Sequence, residues 1–259
     1  MLKQLMLMAA VTAVVAVPAS AETLRLATSA DYPPWESVNS AGDMEGFDID
    51  VGNAVCAKIK VECVWTNQAY DGLLPALEAG QYDVIVSAIS ITDERKERIG
   101  FSAPYAQAPA SFGTVGDKLG EVTDRASLEA ALSGKIVGVQ GSSIFEGLVE
   151  NHFPDAEIKT YERADQIVAD LGIGRLDAAL METTSWTSMA EANADANLKT
   201  FGPQLTFGDY PELGEGIGFG FQKDNAELKT RVDAAITELL ADGTIAGFSQ
   251  TWFGFDATP

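Results

Sequence analysis

Short apolar runs alternate with amphipathic stretches along most of the chain, and this alternation indicates both strands and helices. The short runs predict strands at 24–28, 61–66, 83–86, 135–139, 157–161 and 177–181, and the run at 83–86 is rich in β-branched residues. Apolar residues at helical spacing predict helices between them and two more near the C-terminus, at 46–59, 71–77, 144–151, 164–171, 228–239 and 245–252. The repeated order of strand, loop and helix predicts an α/β fold with parallel-rich sheets flanked by helices.

Two proline-bearing segments interrupt the alternation, at 101–112 and at 201–203. We therefore predict two lobes. Lobe 1 comprises residues 22–108 and 205–259, and lobe 2 comprises residues 109–204. In this interpretation the chain crosses between the lobes twice, near 106–110 and near 201–205.

The two predicted lobes share one sequence pattern. Segment 77–83 recurs as segment 171–177, with leucine, glycine and aspartate at matching positions, and each copy predicts a helix, a glycine cap and a strand. The matching register puts Ser87 and Ala88 opposite Glu182, just beyond the two strands. The alternative is coincidence, because such a pattern is common in α/β chains.

The loop between the strand at 83–86 and the next helix is a candidate binding site, since ligands of open α/β sheets bind beyond the carboxyl ends of strands. Thr92 is a suitable N-cap for the helix after this loop. Arg95 could hold a carboxylate through two parallel hydrogen bonds, and Glu182 could meet the ammonium of the same zwitterion from the opposite side. The alternative is a solvated helix start with an ordinary surface arginine.

Two further groups of side chains are ambiguous. Tyr32 and Trp35 lie in a proline-rich loop after the first strand, so one of them could face a ligand, although packing in the core is an equal alternative for Trp35. Asp48 and Asp50 lie in the first turn of a predicted helix. We interpret them as capping residues that suit the helix dipole. The alternative is a paired-carboxylate catalytic site, which is less favoured because residues two apart point to different sides of a helix.

Composition restricts the function classes. The chain has 38 acidic and 17 basic residues, and its formal net charge of −21 argues against binding to nucleic acid. Residues 1–21 resemble a signal peptide, with Lys3, an apolar run and a small-residue cleavage site after Ala21. We therefore expect an exported protein.

The two cysteines, Cys56 and Cys63, predict one disulfide bond if the chain is exported. Two free buried thiols are a less favoured alternative. A metal or redox site is weaker still, because the spacing is not C-x-x-C and the only histidine, His152, lies far along the chain. We expect neither a metal nor a cofactor.

Several motifs together resemble family 3 of the bacterial extracellular solute-binding proteins, the periplasmic polar-amino-acid receptors of ABC importers. The resemblance covers nearly the whole mature chain. It rests on the segments Gly46-Phe-Asp-Ile-Asp-Val51, Asp71-Gly-Leu-Leu-Pro-Ala-Leu77, Ser90-Ile-Thr-x-x-Arg95, Phe101-Ser-x-Pro-Tyr105, Val137-Gly-Val-Gln-Gly-Ser142, Gly174-Arg-Leu-Asp-Ala178 and Asp242-Gly-Thr244. The cysteine spacing further resembles the branch that binds lysine, arginine, ornithine, histidine and opines.

The resemblance implies a two-lobed periplasmic binding protein fold of type II, with an α-amino acid held in the cleft. It implies an α-carboxylate held by Arg95, an α-ammonium held by Ser90, the Ser87/Ala88 loop and Glu182, and aromatic walls from Tyr32 and Tyr70. The complete set of implied binding residues is Ser29, Tyr32, Tyr70, Ser87, Ala88, Ser90, Arg95, Ser142, Ser143 and Glu182.

Two positions depart from the pattern of the branch. Ser29 stands where the branch has an acidic residue that holds a cationic side chain, and Glu182 stands where many relatives have aspartate. We expect a polar α-amino acid that is basic or opine-like. A basic ligand would then need another acid, such as Asp31 or Glu215, and the alternative is a less basic ligand or an opine.

The resemblance also implies a monomer that closes around its ligand and delivers it to a membrane permease. The alternative function is a periplasmic dehydratase of the same fold, of the cyclohexadienyl or arogenate type.

Overall fold

A computed structural model describes residues 22–259, so the predicted signal peptide lies outside the described residues. The strands are β1 Thr23–Thr28, β2 Asp31–Tyr32, β3 Glu36–Val38, β4 Met44–Glu45, β5 Glu62–Asn67, β6 Val84–Ile85, β7 Ile99–Phe101, β8 Ala110–Val115, β9 Ile136–Gln140, β10 Glu157–Tyr161, β11 Ala178–Glu182, β12 Leu198–Leu205 and β13 Gly220–Gln222. The helices are α1 Phe47–Ile59, α2 Tyr70–Glu78, α3 Asp93–Arg98, α4 Arg125–Leu132, α5 Ile144–His152, α6 Ala164–Gly172, α7 Thr183–Ala192, α8 Ala226–Ala241 and α9 Thr244–Phe253.

Two five-stranded sheets form the frame of the molecule. The first has the order β5-β1-β6-β13-β7, and the second has the order β10-β9-β11-β8-β12. In each sheet the three strands of the β-loop-α repeats are parallel, and the remaining two pair antiparallel. The chain passes from the first sheet to the second between β7 and β8, and returns between β12 and β13. The predicted two-lobed α/β fold is therefore confirmed, while the lobe boundaries at 108/109 and 204/205 stay predictions.

All six strands and six helices predicted from the hydrophobic pattern are present, with ends shifted by a few residues. At the predicted break, 201–203, β12 continues, but its pairing with β8 is interrupted and its register shifts between Phe201 and Leu205. The pattern missed α4, α7, the strands β7, β8, β12 and β13 that follow the β-loop-α repeats, and a small sheet of the order β2-β3-β4. The small sheet has strands of two or three residues, which are too short to show an alternation.

The predicted apolar stripe of helix α8 faces the core. Its residues Leu228, Val232, Ile236 and Leu239 are all buried, and α8 packs on α1 of the same lobe. The predicted disulfide bond between Cys56 and Cys63 is present and joins α1 to β5, with 6.0 Å between the Cα atoms. Among the described residues, no helix has the length and apolar character that a membrane crossing needs.

Candidate ligand-binding site

A cavity lies where strand ends of both sheets face each other. About 440 Å³ of space lies between its lining side chains, counting the opening to solvent. Side chains of both lobes contribute to this lining. The lining residues are Ser29, Asp31, Tyr32, Glu36, Tyr70, Ala88, Ser90, Gln140, Ser143, Ile144, Phe145, Ala164, Leu180, Met181 and Glu182.

Arg95 lines the groove that adjoins this cavity, beside the cavity residues Tyr70 and Ser90. It is buried, which excludes the ordinary surface arginine. The side chain of Thr92 caps α3 as predicted and accepts a hydrogen bond from the backbone N–H of Arg95 at 3.2 Å. The guanidinium donates to the Ser90 carbonyl and the Tyr70 hydroxyl, both at 3.2 Å, and to the Ser142 carbonyl of lobe 2 at 3.3 Å. Among residues 22–259, no carboxylate forms an ion pair with it, so this buried cation is available to an anionic ligand group.

Glu182 ends β11 at the opposite side of the cavity. Its carboxylate accepts a hydrogen bond from the Tyr32 hydroxyl, and that hydroxyl accepts one from the Glu182 backbone N–H at 3.0 Å. Burial raises the pKa of Glu182 to about 7, although the hydrogen bond from Tyr32 acts in the opposite direction. Tyr32 and Glu182 therefore join the two lobes directly across the place where a ligand would lie.

Two more acidic side chains line the cavity from lobe 1. The carboxylate of Asp31 accepts hydrogen bonds from the Ser29 hydroxyl at 2.8 Å and from the Ala164 backbone N–H of lobe 2 at 2.9 Å. One carboxylate oxygen of Glu36, Oε1, accepts a hydrogen bond from the Ser87 hydroxyl at 2.7 Å. Its other oxygen, Oε2, is buried and has no hydrogen-bond partner among the described residues.

Asp48 lies directly behind the cavity, and the interpretation of this residue as a helix cap is wrong. Helix α1 begins after Gly46 and has no side-chain cap. The Asp48 carboxylate instead accepts hydrogen bonds from the Ala88 backbone N–H at 2.6 Å and from the Tyr105 hydroxyl at 2.8 Å. Asp50 does not cap the helix either, since its carboxylate accepts a hydrogen bond from the Trp252 indole at 2.7 Å. The sequence could not distinguish these contacts from capping, because a spacing of two residues shows neither how deeply a side chain is buried nor which group it contacts.

The electrostatics of the cavity are strongly one-sided. Its described lining contains three carboxylic side chains, those of Asp31, Glu36 and Glu182, and no lysine or arginine. Burial raises the pKa of each of the three above its usual range. A cationic group entering the cavity would relieve the cost of burying these charges, whereas a second anion would add to it.

The structure gathers most of the predicted site residues. Seven line the cavity: Ser29, Tyr32, Tyr70, Ala88, Ser90, Ser143 and Glu182. Ser87 lies one layer behind, where its hydroxyl donates to Glu36 and accepts from the Ser29 N–H at 2.9 Å. Arg95 and Ser142 line the wider groove that adjoins the cavity.

Sequence reasoning missed several lining residues, of which Glu36 is the most informative. The sequence offers no signal for it, because a glutamate at the start of a three-residue strand looks like an exposed loop residue, and only the fold shows that it is buried. Trp35 itself lies in the core, which was one of the two alternatives for this residue. It is fully buried, packs against Phe47 and Phe253, and donates its indole N–H to the Thr184 hydroxyl of lobe 2 at 2.9 Å. Glu215 does not line the cavity and pairs with Lys96 at 2.6 Å.

Residues 24–255 match the family described as bacterial extracellular solute-binding proteins, family 3. This chain belongs to that family. The L-arginine-binding protein of Pseudomonas aeruginosa is 34% identical over 92% of this chain and 90% of its own. The octopine-binding periplasmic protein of Rhizobium meliloti is 34% identical over 98% of each chain.

Solved structures agree with the family assignment. An ancestral arginine-binding protein bound to glutamine superposes with a TM-score of 0.81 and 31% identity, over 90% of this chain and 98% of its own. An ancestral amino acid-binding protein that is a precursor of cyclohexadienyl dehydratase has a TM-score of 0.76 and 27% identity, over 89% of this chain and 95% of its own.

In this family 3 solute-binding protein, the start of α1 explains one of the motif residues. Gly46 has a φ of +134°, and a Cβ atom there would lie 2.3 Å from the backbone oxygen of Trp35. Only glycine fits this close approach of two backbone segments. The contact fixes α1 against the loop that carries Glu36, and so fixes Asp48 behind the cavity.

Proposed function

We propose that this protein is a periplasmic receptor that binds an α-amino acid with a cationic side chain between its lobes and delivers it to the permease of an ABC importer. The observation that carries this proposal is the division of charge in the cleft. One buried guanidinium without an acidic partner among the described residues lies at one end, and three buried carboxylic groups line the rest.

The division of charge suggests how such a ligand lies. Its carboxylate binds the guanidinium of Arg95, which can accept it with two parallel hydrogen bonds. Its ammonium binds Glu182, where it replaces the Tyr32 hydroxyl. Its side chain then extends toward Asp31 and Glu36, which supply the acid that Ser29 does not.

The same charges favour an amino acid over an opine. An opine carries a second carboxylate, and the described cavity lining has no second cation to receive it. Burying that carboxylate beside Glu182 would cost binding free energy through desolvation and repulsion. We therefore expect arginine, lysine or ornithine to bind more tightly than octopine.

A thermal-shift panel on ligand-stripped protein tests the proposal. A ligand present at ~1,000 times its dissociation constant stabilises the folded state by ~4 kcal/mol, which is a readily measured shift in Tm. We expect the shift with arginine, lysine or ornithine, a smaller one with octopine and none with glutamate. If a sugar or a dicarboxylate raises the Tm and no α-amino compound does, the proposal is wrong.

An enzyme of the dehydratase type is the second candidate, and Glu182 is the observation that favours it. A buried carboxylic acid with a pKa of about 7 suits a general acid in a cleft. The buried carboxylic acid is also explained without catalysis, because Glu182 accepts a hydrogen bond from Tyr32 and can bind the ammonium of a ligand. Turnover of prephenate or arogenate by the purified protein would favour the enzyme, and saturable binding without turnover would favour the receptor.

The remaining parts of the proposal concern processing and partners. Export implies cleavage after Ala21, which N-terminal sequencing of the mature protein tests. Transport implies that the closed monomer docks on a permease, and uptake of labelled arginine by cells that carry or lack this protein tests it. Unchanged uptake in cells lacking the protein would contradict the transport role.

A further inference from the structure

Two acidic side chains lie side by side at the back of the cavity. Glu36 from β3 and Asp48 from α1 are 1% and 0% exposed. The backbone N–H of Asp48 donates to the carbonyl of Trp35 at 2.9 Å, and the two carboxylates accept hydrogen bonds from the adjacent residues Ser87 and Ala88. The Asp48 carboxylate already accepts two hydrogen bonds, from the Ala88 N–H and the Tyr105 hydroxyl. Glu36 has one donor, the Ser87 hydroxyl, and its Oε2 atom faces no donor among residues 22–259.

The surroundings of the pair contain acids and tyrosines. Asp31 on β2 and Glu182 on β11 add negative charge from two other elements, and Tyr70 on α2 and Tyr105 after β7 add neutral hydroxyls. The guanidinium of Arg95 faces Tyr70 and Ser90 instead of the pair. Two adjacent buried carboxylates without a counter-charge cannot both be ionised at low cost.

A proton resolves both the charge and the missing hydrogen bond. Placed on Glu36, it lets this side chain donate to Asp48, which keeps the charge because the Ala88 N–H and the Tyr105 hydroxyl stabilise it. Burial raises the pKa of Glu36 well above its usual range and that of Asp48 to about 6. The asymmetry in donors explains why the proton resides on Glu36.

We propose that Glu36 and Asp48 share one proton in the ligand-free protein, and that a cationic ligand side chain displaces this proton to solvent whereas a neutral side chain does not. This inference rests on the proposed function. The pair would thereby determine specificity. Deprotonated, Glu36 accepts hydrogen bonds from a guanidinium or an ammonium, and protonated, it donates to a neutral carbonyl oxygen.

The displaced proton predicts how affinity depends on pH. A proton and a cationic side chain compete for Glu36, so the affinity for arginine rises with pH while the free pair is still protonated. The increase is at most about tenfold per pH unit for one displaced proton. It ends where the pH exceeds the raised pKa of the pair, because no proton is then left to displace.

Arginine and citrulline form a matched pair of ligands for the test. Both carry the same α-ammonium and α-carboxylate, so any proton that Glu182 releases is common to both. Titration calorimetry at pH 7 in buffers of different ionisation enthalpy gives the number of protons released per ligand bound. We expect about one more proton released with arginine than with citrulline.

Variants test whether the difference in proton release between arginine and citrulline comes from Glu36 and Asp48. Glu36→Gln should abolish the difference between the two ligands and weaken arginine binding more than citrulline binding. Glu62→Gln, which removes an exposed carboxylate at the start of β5, should leave the difference intact. Equal proton numbers for both ligands in the wild type, or a difference that persists in Glu36→Gln, would overturn the inference.

The ligand-free protein supplies an independent measurement. Infrared spectroscopy at pH 7 should show the carbonyl stretch of a protonated carboxylic acid, and part of this band should disappear in Glu36→Gln. In Asp48→Asn the same band should titrate at lower pH, because the neighbouring charge that holds the proton is gone. Bands that coincide in wild type and Glu36→Gln would overturn the inference. Failure of every amino acid to bind would contradict only the proposed function, and the infrared result would still decide this one.

Discussion

The two lobes share one arrangement of strands and helices, which we call the frame. The likeness is clearest where a helix leads into a strand beside the cavity. Gly80 in lobe 1 and Gly174 in lobe 2 have left-handed φ values of +72° and +75°. An aspartate lies at the same distance along the chain after each glycine. The Asp83 carboxylate accepts the backbone N–H of Arg25 at 2.9 Å, and the Asp177 carboxylate accepts that of Ile136 at 2.9 Å. Each aspartate thus ties its own strand to the start of the neighbouring parallel strand.

The lobes differ in the segment that comes directly after the strand. In lobe 1, β6 ends after two residues and a loop leads to α3, which presents Arg95. In lobe 2, β11 runs for five residues to Glu182, and α7 begins at the next residue. The frame therefore determines where the candidate site lies, and the residues at and after these two strand ends determine that lobe 1 contributes Arg95 there and lobe 2 contributes Glu182.

The largest expected effect comes from removing one of these two opposed charges. Arg95→Ala or Glu182→Ala should each weaken ligand binding by ~3–5 kcal/mol, because the remaining ligand charge is buried without a partner. Titration calorimetry with arginine measures the loss.

Conservative variants make the comparison sharper. Arg95→Lys keeps the charge and loses the planar pair of donors, so it should bind more weakly than the wild type and better than Arg95→Ala. Glu182→Gln keeps the shape and removes the charge. If either alanine variant binds arginine within a factor of ten of the wild type, that lobe does not hold the zwitterion as proposed.

The disulfide bond is a second difference between the lobes, since both cysteines of the chain are in lobe 1. Replacing Cys56 and Cys63 together by serine should lower the free energy of unfolding by ~2–3 kcal/mol in the chain-entropy estimate. Urea denaturation measures this, with reduced wild-type protein as the control. Identical stability of the oxidised wild type and the double variant would show that the bond does not stabilise lobe 1.

Part of the frame was predictable because burial on both faces of a parallel sheet leaves apolar runs in the sequence. The central strands β9 and β11 have such runs and are almost entirely buried, whereas the edge strand β10 has no buried residue and follows from its place in the alternation of strands and helices. The two-residue strand β2 could not be found, because its residues are polar or aromatic and their burial depends on contacts with α6 of the other lobe.

The site was predictable in part, for a related reason. Arg95 and Glu182 could be located because each comes after a strand end at a recognisable place in the repeat. Glu36 and Asp48 could not, because their importance depends on depth. Both are polar residues in segments that look like ordinary loop and helix start, and only the folded structure shows that they are buried against each other.

If the two lobes close around a ligand as proposed, we expect contacts that need no ligand to stabilise the closed form, and one of these contacts can be removed alone. Thr184→Val keeps the shape of the side chain but leaves the buried indole N–H of Trp35 without its acceptor in the closed form. The open form can satisfy that N–H with water, so closure should be disfavoured by ~1–3 kcal/mol. We expect weaker arginine binding by calorimetry and less compaction by small-angle scattering.

Thr183→Val provides the control, because the Thr183 hydroxyl hydrogen-bonds Ser111 within lobe 2 at 2.7 Å. It should lower stability without changing the compaction on ligand binding. Equal scattering changes in Thr184→Val and in the wild type would show that the contact between Trp35 and Thr184 does not contribute to closure.

The smallest expected effect separates the two aspartates of the shared frame. Asp83→Asn should lower the free energy of unfolding more than Asp177→Asn, by about 1 kcal/mol, because Asp83 also accepts charged hydrogen bonds from the Arg25 side chain. Asp177 has Lys135 only at 3.9 Å. Urea denaturation of both variants at pH 7 measures the difference.

The pH dependence of the free energy of unfolding tests the charged contribution of Asp83 over a range of conditions. Burial alone would raise the pKa of Asp83, but the hydrogen bonds from Arg25 outweigh it and lower the pKa below its usual value. A carboxylate with a lowered pKa in the folded state contributes stability above its unfolded pKa, ~3.9, and loses that contribution as the pH falls through the folded value. The wild type and Asp83→Asn should therefore differ most at neutral pH and converge in acid. A difference in the free energy of unfolding that stays constant down to pH ~2 would show that the contribution of Asp83 does not come from its charge. Asp83 and Asp177 would then stabilise their lobes in the same way, through the hydrogen bond from a backbone N–H.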